Sequence, residues 1–142
     1  MKRLFYLLAA AAFTACGSAT TLSVMTFNMR YDNPEDGADN WRFRRGRVAE
    51  VIASHGVDVF GTQELLANQL GDLKRLLPGY AAVGVGREDG AEAGEFSAVF
   101  YRRDRFTPLE SGTFWLSETP DVAGSKGWDG ACERVATWVV LH

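Results

Sequence analysis

The chain has no excess of positive charge and no apolar run long enough to cross a bilayer. Its 15 Lys and Arg residues stand against 18 Asp and Glu residues, which gives a net charge of −3. A mildly acidic protein has no general electrostatic attraction to nucleic acid, although a local basic site is still compatible with this composition. Repeats and low-complexity tracts are also missing beyond the N-terminal region. The length of 142 residues allows one domain.

The first 19 residues have the pattern of an export signal. A basic start with Lys2 and Arg3 precedes an apolar run over residues 4–12, which is too short for a membrane-spanning helix. The small residues that follow leave two alternatives, lipidation of Cys16 in a lipobox-like segment or ordinary cleavage after Ala19. We therefore expect an exported protein that is periplasmic, membrane-anchored or extracellular, with its folded domain over residues 20–142.

Only two cysteines occur, Cys16 and Cys132. An exported protein meets an oxidising environment in which paired cysteines form disulfides. Because lipidation or signal cleavage would remove Cys16 as a partner, we expect Cys132 to form no disulfide. A small packed residue is the preferred interpretation of Cys132, and a reactive thiol is the alternative.

Two short apolar runs end abruptly in polar residues with a helical segment between them. The first covers residues 22–27 and ends in Asn28, and the second covers residues 57–63 and ends in Glu64. With a helix predicted over residues 41–55, this is a strand–helix–strand unit, which normally forms a parallel pair. The ends of parallel strands meet at one edge of a sheet, where ligand crevices lie. A carboxylate and an amide oxygen at that edge suit a hard cation such as Mg²⁺.

The rest of the chain predicts one more helix followed by strands. This order, βαβα and then β-rich segments, indicates an α/β domain whose sheet becomes mixed or antiparallel towards its end. The last predicted strand ends beside His142 without a covering helix, so we expect either a longer natural chain or a dimer that covers this edge. The predicted segments are a helix with Leu66, Leu70, Leu73 and Leu77 on its core face, a strand at 80–85, a flexible loop at 86–95, a β-rich run at 95–101, a strand region at 106–115 broken by Pro108 and Gly112, an irregular stretch at 117–130 and a strand at 133–141.

Five short motifs occur in an order that resembles one enzyme superfamily. The chain is similar to the endonuclease/exonuclease/phosphatase superfamily, which includes the DNase I-like enzymes, and above all to its exported bacterial members. The resemblance covers nearly everything after residue 20 and depends on the ordered set rather than on any single motif. The motifs are TFNMR at 26–30, TQE at 62–64, EFSAVFYR at 95–102, GTFWLS at 112–117 and RVATW at 134–138.

The resemblance implies half of a four-layer α/β/β/α sandwich, with a mixed sheet and helices on one face. It also implies hydrolysis of a phosphodiester or phosphomonoester by a water molecule, assisted by Mg²⁺ or Mn²⁺. Glu64 matches the family's metal-binding glutamate, and Asn28 matches the asparagine that helps to hold the metal or the phosphate. Arg134 and Arg30 are the candidates for binding substrate, although some relatives carry an acidic residue at the position of Arg30.

Each candidate also has a purely structural interpretation. Glu64 would suit the N-terminus of the following helix, and Asn28 would suit a turn. Arg134 would equally pair with a neighbouring carboxylate, Glu133 or Glu118. Trp115 and Trp128 either line a cleft or anchor the core and loops.

The family's motifs from its second half do not occur in this sequence. These are a histidine in a Thr/Asn-His segment, an Asp-x-Asn motif and a final Ser-Asp-His, and without them no general base is evident. We therefore expect a truncated phosphoesterase that is weakly active or inactive alone. The alternative is a surface-anchored, non-catalytic binding module that keeps the half-fold.

Overall fold

The computed structural model describes residues 21–142, so the predicted signal peptide and Cys16 lie outside the described residues. Within this part the strands and helices follow the predicted order. A short 3₁₀ segment over Pro34–Asp39 is added between the first strand and the first helix. The elements are β1 (Val24–Asn28), α1 (Trp41–Ser54), β2 (Val59–Gln63), α2 (Ala67–Leu76), β3 (Tyr80–Val83), β4 (Val99–Arg102), β5 (Pro108–Trp115) and β6 (Val135–Leu141).

The predicted strand–helix–strand unit is confirmed. β1 and β2 are parallel, and Asn28 pairs with Gln63 at the carboxyl end of the ladder. Between the two strands, α1 begins where the Asn40 side chain accepts a hydrogen bond from the backbone N–H of Arg42 at 3.2 Å. The chain leaves α1 through Gly56, whose φ of +56° is the left-handed conformation that favours glycine after a helix. These local signals place the ends of β1 and β2 at the same edge of the sheet.

Both helices pack on one face of a four-stranded mixed sheet with the order β1-β2-β4-β3. β4 runs antiparallel to its neighbours β2 and β3. The core between this sheet and the helices includes Trp41, Ile52 and Leu73 from the helices. On the sheet side, the rings of Phe60 and Phe100 stack with their centroids 4.5 Å apart. The predicted α/β class, with a mixed sheet and helices on one face, is confirmed.

β5 and β6 form a separate antiparallel ribbon that contacts β3 and β4. The predicted break of this region is wrong at Gly112, whereas at Pro108 the strand begins and its register with β6 shifts between Pro108 and Glu110. Pro108 is the first residue of β5, a position that a residue without an N–H donor can occupy. Gly112 lies inside the strand, where a Cβ atom would be only 2.9 Å from the indole nitrogen of Trp138. The glycine therefore makes room for an aromatic ring rather than interrupting the strand.

The loop over residues 86–95 is closed by backbone hydrogen bonds, so the predicted flexible loop is wrong. The N–H of Gly86 donates to the carbonyl of Ala91 at 2.9 Å, and the N–H of Arg87 donates to the carbonyl of Glu95 at 3.1 Å. Three glycines indicated flexibility, but in the folded chain they permit tight turns. This loop therefore holds the side chains that it carries in defined positions.

No helix in the described range is long and apolar enough to cross a membrane. Cys132 is a half-buried free thiol.

Candidate functional site

The structure brings Asn28 and Glu64 into direct contact, although 36 residues separate them in the sequence. The amide nitrogen Nδ2 of Asn28 donates to Oε1 of Glu64 at 2.9 Å. Asn28 is the last residue of β1, and Glu64 directly follows β2. The convergence predicted from the parallel strand pair is therefore found at the carboxyl edge of the sheet.

Local hydrogen bonds define the orientation of the Asn28 amide. Its Oδ1 accepts from the backbone N–H of Arg30 at 2.8 Å. Because a backbone N–H can only donate, the oxygen of the amide faces Arg30 and the nitrogen faces Glu64. In this arrangement Asn28 orients the carboxylate of Glu64, and the carboxylate is the stronger candidate for direct contact with a cation.

The backbone at this site is held in an uncommon conformation. Glu64 and Arg30 have φ values of +56° and +54°, in the left-handed region that few residues with side chains adopt. Such conformations persist only where the surrounding structure enforces them, and they cluster at functional sites. The carboxylate of Glu64 contacts Asn28. Leu66, and not Glu64, is the residue that directly precedes α2.

A cavity of about 180 Å³ opens beside the Asn28–Glu64 contact. Its walls combine three carboxylates with two guanidinium groups, so charges of both signs border a small space. The residues that line it are Asn28, Gln63, Glu64, Arg87, Glu95, Ser97, Glu133, Arg134 and Val135.

Arg134 lies in this cavity wall, and its role in binding substrate stays a prediction. Within residues 21–142 it makes no ion pair with Glu133 or Glu118, the two partners that the sequence offered. Glu118 instead accepts from the backbone N–H of Trp128 at 3.3 Å. The guanidinium of Arg134 is therefore not occupied by either predicted neighbour.

Arg30 does not line the cavity. Its guanidinium donates twice to the carboxylate of Asp36, at 3.1 and 2.9 Å. This hydrogen-bonded pairing is the main reason why the pKa of Asp36 is lowered and that of Arg30 is raised. A substrate-binding role of Arg30 stays a prediction.

A functional residue that sequence reasoning missed is Gln69, which is fully buried at the start of α2. Its side-chain oxygen accepts from the N–H groups of Leu66 and Asp32 at 3.0 and 3.2 Å. Its amide nitrogen donates to the carbonyl of Arg30 at 2.9 Å. Gln69 thereby ties the segment that follows Asn28 to the helix that follows Glu64. A polar residue within the leucine stripe is the sequence signal that could have revealed it.

The chemistry of the site fits a hard divalent cation only in part. No group of three His, Cys, Asp or Glu side chains in the described part of the chain lies close enough together to hold a metal ion. Mg²⁺, however, usually keeps several waters and uses one or two carboxylates together with substrate phosphate. The carboxylate of Glu64, oriented by an amide and facing a polar cavity, satisfies that smaller requirement.

Known proteins are similar to this chain in sequence and in fold. The sequence profile described as "Endonuclease/Exonuclease/phosphatase family" matches residues 25–141. A solved endonuclease/exonuclease/phosphatase from Bacteroides vulgatus is similar, with 51% identity and a TM-score of 0.81 over 82% of this chain and 44% of that chain. A mannosyl-6-phosphatase from Bacteroides thetaiotaomicron has 48% identity and a TM-score of 0.83 over 85% of this chain and 46% of that chain. No match was found among curated proteins.

The mixed sheet, its one-sided helix layer and the polar edge at Asn28 and Glu64 define an α/β protein with a DNase I-like fold. The chain belongs to the endonuclease/exonuclease/phosphatase family. It spans less than half the length of these two relatives, 44% and 46%.

Proposed function

We propose that this chain is the part of a divalent-metal-dependent phosphoesterase that supplies the metal-binding carboxylate and a phosphate-binding arginine. The observation that carries the proposal is the hydrogen bond between Asn28 and Glu64 across the ends of two parallel strands. Family membership and the phosphatase named among the similar structures support it.

Each residue has a distinct task in this proposal. Glu64 holds Mg²⁺ or Mn²⁺, and Asn28 keeps its carboxylate in position. A bound cation would polarise the phosphoryl oxygen and offset the charge that develops on the leaving oxygen. Arg134 binds the non-bridging phosphate oxygens through paired N–H donors. Because the motifs that carry the family's base do not occur in this sequence, we expect the chain by itself to hydrolyse little.

The substrate that we propose first is the phosphomonoester of a sugar. The similar protein from Bacteroides thetaiotaomicron is a mannosyl-6-phosphatase by name. The cavity wall carries Glu64, Glu95 and Glu133 against two arginines, and this balance disfavours a long polyanion such as nucleic acid. The N-terminal signal pattern supports export, with anchoring through a lipid on Cys16 as the alternative to a free protein.

Titration with Mn²⁺, followed by electron paramagnetic resonance, tests the metal site directly. Glu64→Gln keeps the shape of the side chain and removes its charge, so we expect the affinity for Mn²⁺ to fall more than about ten-fold. Asn28→Ala removes the orienting hydrogen bond to Glu64, together with the acceptor of the Arg30 N–H, and should reduce the affinity about ten-fold. Glu50→Gln, on the exposed side of α1, is the control and should leave the affinity unchanged.

An activity measurement completes this test. Hydrolysis of p-nitrophenyl phosphate and of bis-(p-nitrophenyl) phosphate with Mg²⁺ is compared between the unmodified chain and Glu64→Gln. Equal Mn²⁺ affinity in the two proteins, or robust turnover that the variant retains, would rule out this site.

A second candidate is a non-catalytic binding module, and one observation favours it. The outer face of the β5–β6 ribbon exposes Phe114, Leu116, Trp138 and Val140, each by 38% to 44%. Contiguous apolar surface of this kind marks association sites. In this alternative a second copy of the chain covers the ribbon. Light scattering after size-exclusion chromatography distinguishes the two, because a tight dimer without metal affinity favours the module.

A further inference from the structure

Trp128 is the most exposed large apolar side chain of the described residues, with 72% of its surface accessible. Its φ of +53° lies in the left-handed region, which a bulky residue rarely adopts. Burial of the ring does not offset the cost of this conformation, because most of the ring is in water. Conformations of this kind cluster at sites that bind ligands. Trp128 is therefore a candidate for contact with a ligand.

The β5–β6 loop, which joins the two strands of the ribbon and carries Trp128, is closed by its own contacts. The hydroxyl groups of Ser117 and Ser125 form a hydrogen bond at 2.7 Å. The backbone N–H of Trp128 donates to the carboxylate of Glu118 at 3.3 Å. Gly127 packs so closely on Ser117 that a Cβ atom at this position would clash with the Cα atom of the serine. The backbone of Trp128 is thus held in place before a ligand arrives, which reduces the cost of binding.

The β5–β6 loop also packs on one wall of the cavity at the candidate site. A Cβ atom on Gly124 would clash with the carbonyl oxygen of Glu88, which belongs to the loop over residues 86–95. In that second loop, Arg87 and Glu95 line the cavity and form an ion pair at 2.7 Å. The two loops therefore support each other beside the cavity.

Arg134, in the cavity wall, is connected to Trp128 through two close contacts. The N–H of Leu116 donates to the carbonyl of Arg134 at 2.8 Å. The next residue, Ser117, is the one on which Gly127 packs. Along this path, standard backbone geometry limits the distance between the Cα atoms of Trp128 and Arg134 to less than about 18 Å. Both side chains are long and exposed, so the alcohol half of an ester whose phosphate lies at Arg134 is within reach of the indole.

Trp115, the other tryptophan that the sequence offered for a cleft, has a structural task instead. It is buried, and its indole N–H donates to the carbonyl of Arg87 at 2.6 Å. Trp115 therefore anchors the loop over residues 86–95. The side chain of Trp128, in contrast, makes no hydrogen bond within residues 21–142, so its ring face and its N–H are both open to a ligand.

The chemistry of an exposed indole favours a ring with apolar C–H groups and polar edges. C–H groups pack on the face of the indole through many small dispersion contacts, and the indole N–H donates to an oxygen atom. A sugar ring offers both, because its C–H groups form a face that hydroxyl groups border. An open-chain alcohol offers the hydroxyl groups without the face.

We propose that Trp128 stacks on the ring of the alcohol half of the ester and so selects monophosphates of cyclic sugars over those of open-chain alcohols. This inference rests on the proposed phosphoesterase function. It assigns a residue that determines specificity to the same site, outside the cavity that holds the phosphate.

Ligand titrations of the full chain in the presence of Mg²⁺, followed by NMR, test this stacking. The probes are mannose 6-phosphate, which has a ring, and glycerol 3-phosphate, which has hydroxyl groups and a phosphate but no ring. Trp128→Gly removes the indole and suits the left-handed backbone. It should weaken the binding of mannose 6-phosphate about five-fold, the size of one aromatic contact, and leave glycerol 3-phosphate unchanged. Ring protons of mannose should shift upfield on the unmodified chain and not on this variant.

Two further variants and a stability measurement complete the test. Trp128→Phe keeps an aromatic face and should retain most of the affinity for mannose 6-phosphate. Leu109→Ala removes another exposed apolar side chain, at the far end of β5, and should change neither affinity. The urea midpoint of Trp128→Gly should equal or exceed that of the unmodified chain, because the indole is exposed and the glycine relieves the backbone.

The outcomes separate the two proposals. An equal loss for both probes, no loss for either, or a lower urea midpoint of Trp128→Gly would overturn the stacking role. In each of these cases the binding of both probes to the unmodified chain leaves the phosphoesterase proposal intact. If neither probe binds the unmodified chain, both proposals fail.

Discussion

Replacement of Gln69 by leucine removes the link between the two segments that carry the site. The side chain is completely buried and makes three hydrogen bonds, all to backbone groups of Leu66, Asp32 and Arg30. Leucine has a similar volume, so the packing of α2 against the sheet remains while all three bonds are lost. The perturbation therefore isolates hydrogen bonding from packing.

The expected loss follows from the number of groups left without partners. An unsatisfied buried backbone group costs about 1 kcal/mol at the lower end of the usual range, so we expect Gln69→Leu to lower the free energy of unfolding by about 3 kcal/mol. Urea unfolding followed by tryptophan fluorescence measures the change.

The neighbouring residue Asn68 provides the matched control. It is exposed on α2 and makes one side-chain hydrogen bond, to Asp32 at 2.8 Å. Asn68→Leu should change the free energy of unfolding by less than about 0.5 kcal/mol. If Gln69→Leu is as stable as this control, the buried amide does not tie the two segments together and the reasoning is refuted.

Two other predictions concern the loop and the response to acid. Gly86→Ala forces a Cβ atom against the carbonyl of Ala93 and should destabilise the fold by about 1–3 kcal/mol. Gly46→Ala, within α1 and without neighbours, should stabilise by about 0.5–1 kcal/mol, so equal effects in urea unfolding would contradict the packing argument. The hydrogen bond from the Ser23 N–H, with the guanidinium of Arg105, lowers the pKa of the buried Asp58. A lowered pKa contributes stability above the unfolded-state value that is lost as the pH falls through the folded-state value. Asp58→Asn should therefore flatten the acid side of the stability profile, and parallel profiles would show that this carboxylate is not responsible.

The contact between Asn28 and Glu64 could be predicted because it follows from a simple topology. Apolar runs of strand length, a helix with a polar cap and a glycine stop determine a parallel pair almost without tertiary information. Once the strands are parallel, the residues after them share an edge. The role of Arg134, in contrast, was left open by the sequence, since neighbouring carboxylates offered equally good partners.

The predictions that failed involve contacts that the composition of a segment does not show. Three glycines between residues 86 and 95 indicate flexibility, yet their hydrogen bonds close the loop around an ion pair eight residues apart. Glycine at position 112 predicts a break in the strand, yet Gly112 accommodates the ring of Trp138 from the opposite strand. Composition describes what a segment permits, and packing decides which of these conformations it adopts.

The sequence by itself determined the order of strands and helices, the family and the edge at which a carboxylate and an amide meet. Hydrophobic periodicity, helix caps and turn residues act over a few positions, so they can be recognised in the sequence. Only the tertiary structure decided that the Asn28 amide turns its nitrogen to Glu64, that Gln69 joins the two segments and that Arg87 and Glu95 form one wall of the cavity. These arrangements depend on side chains that meet through folding, and no local pattern encodes such distances.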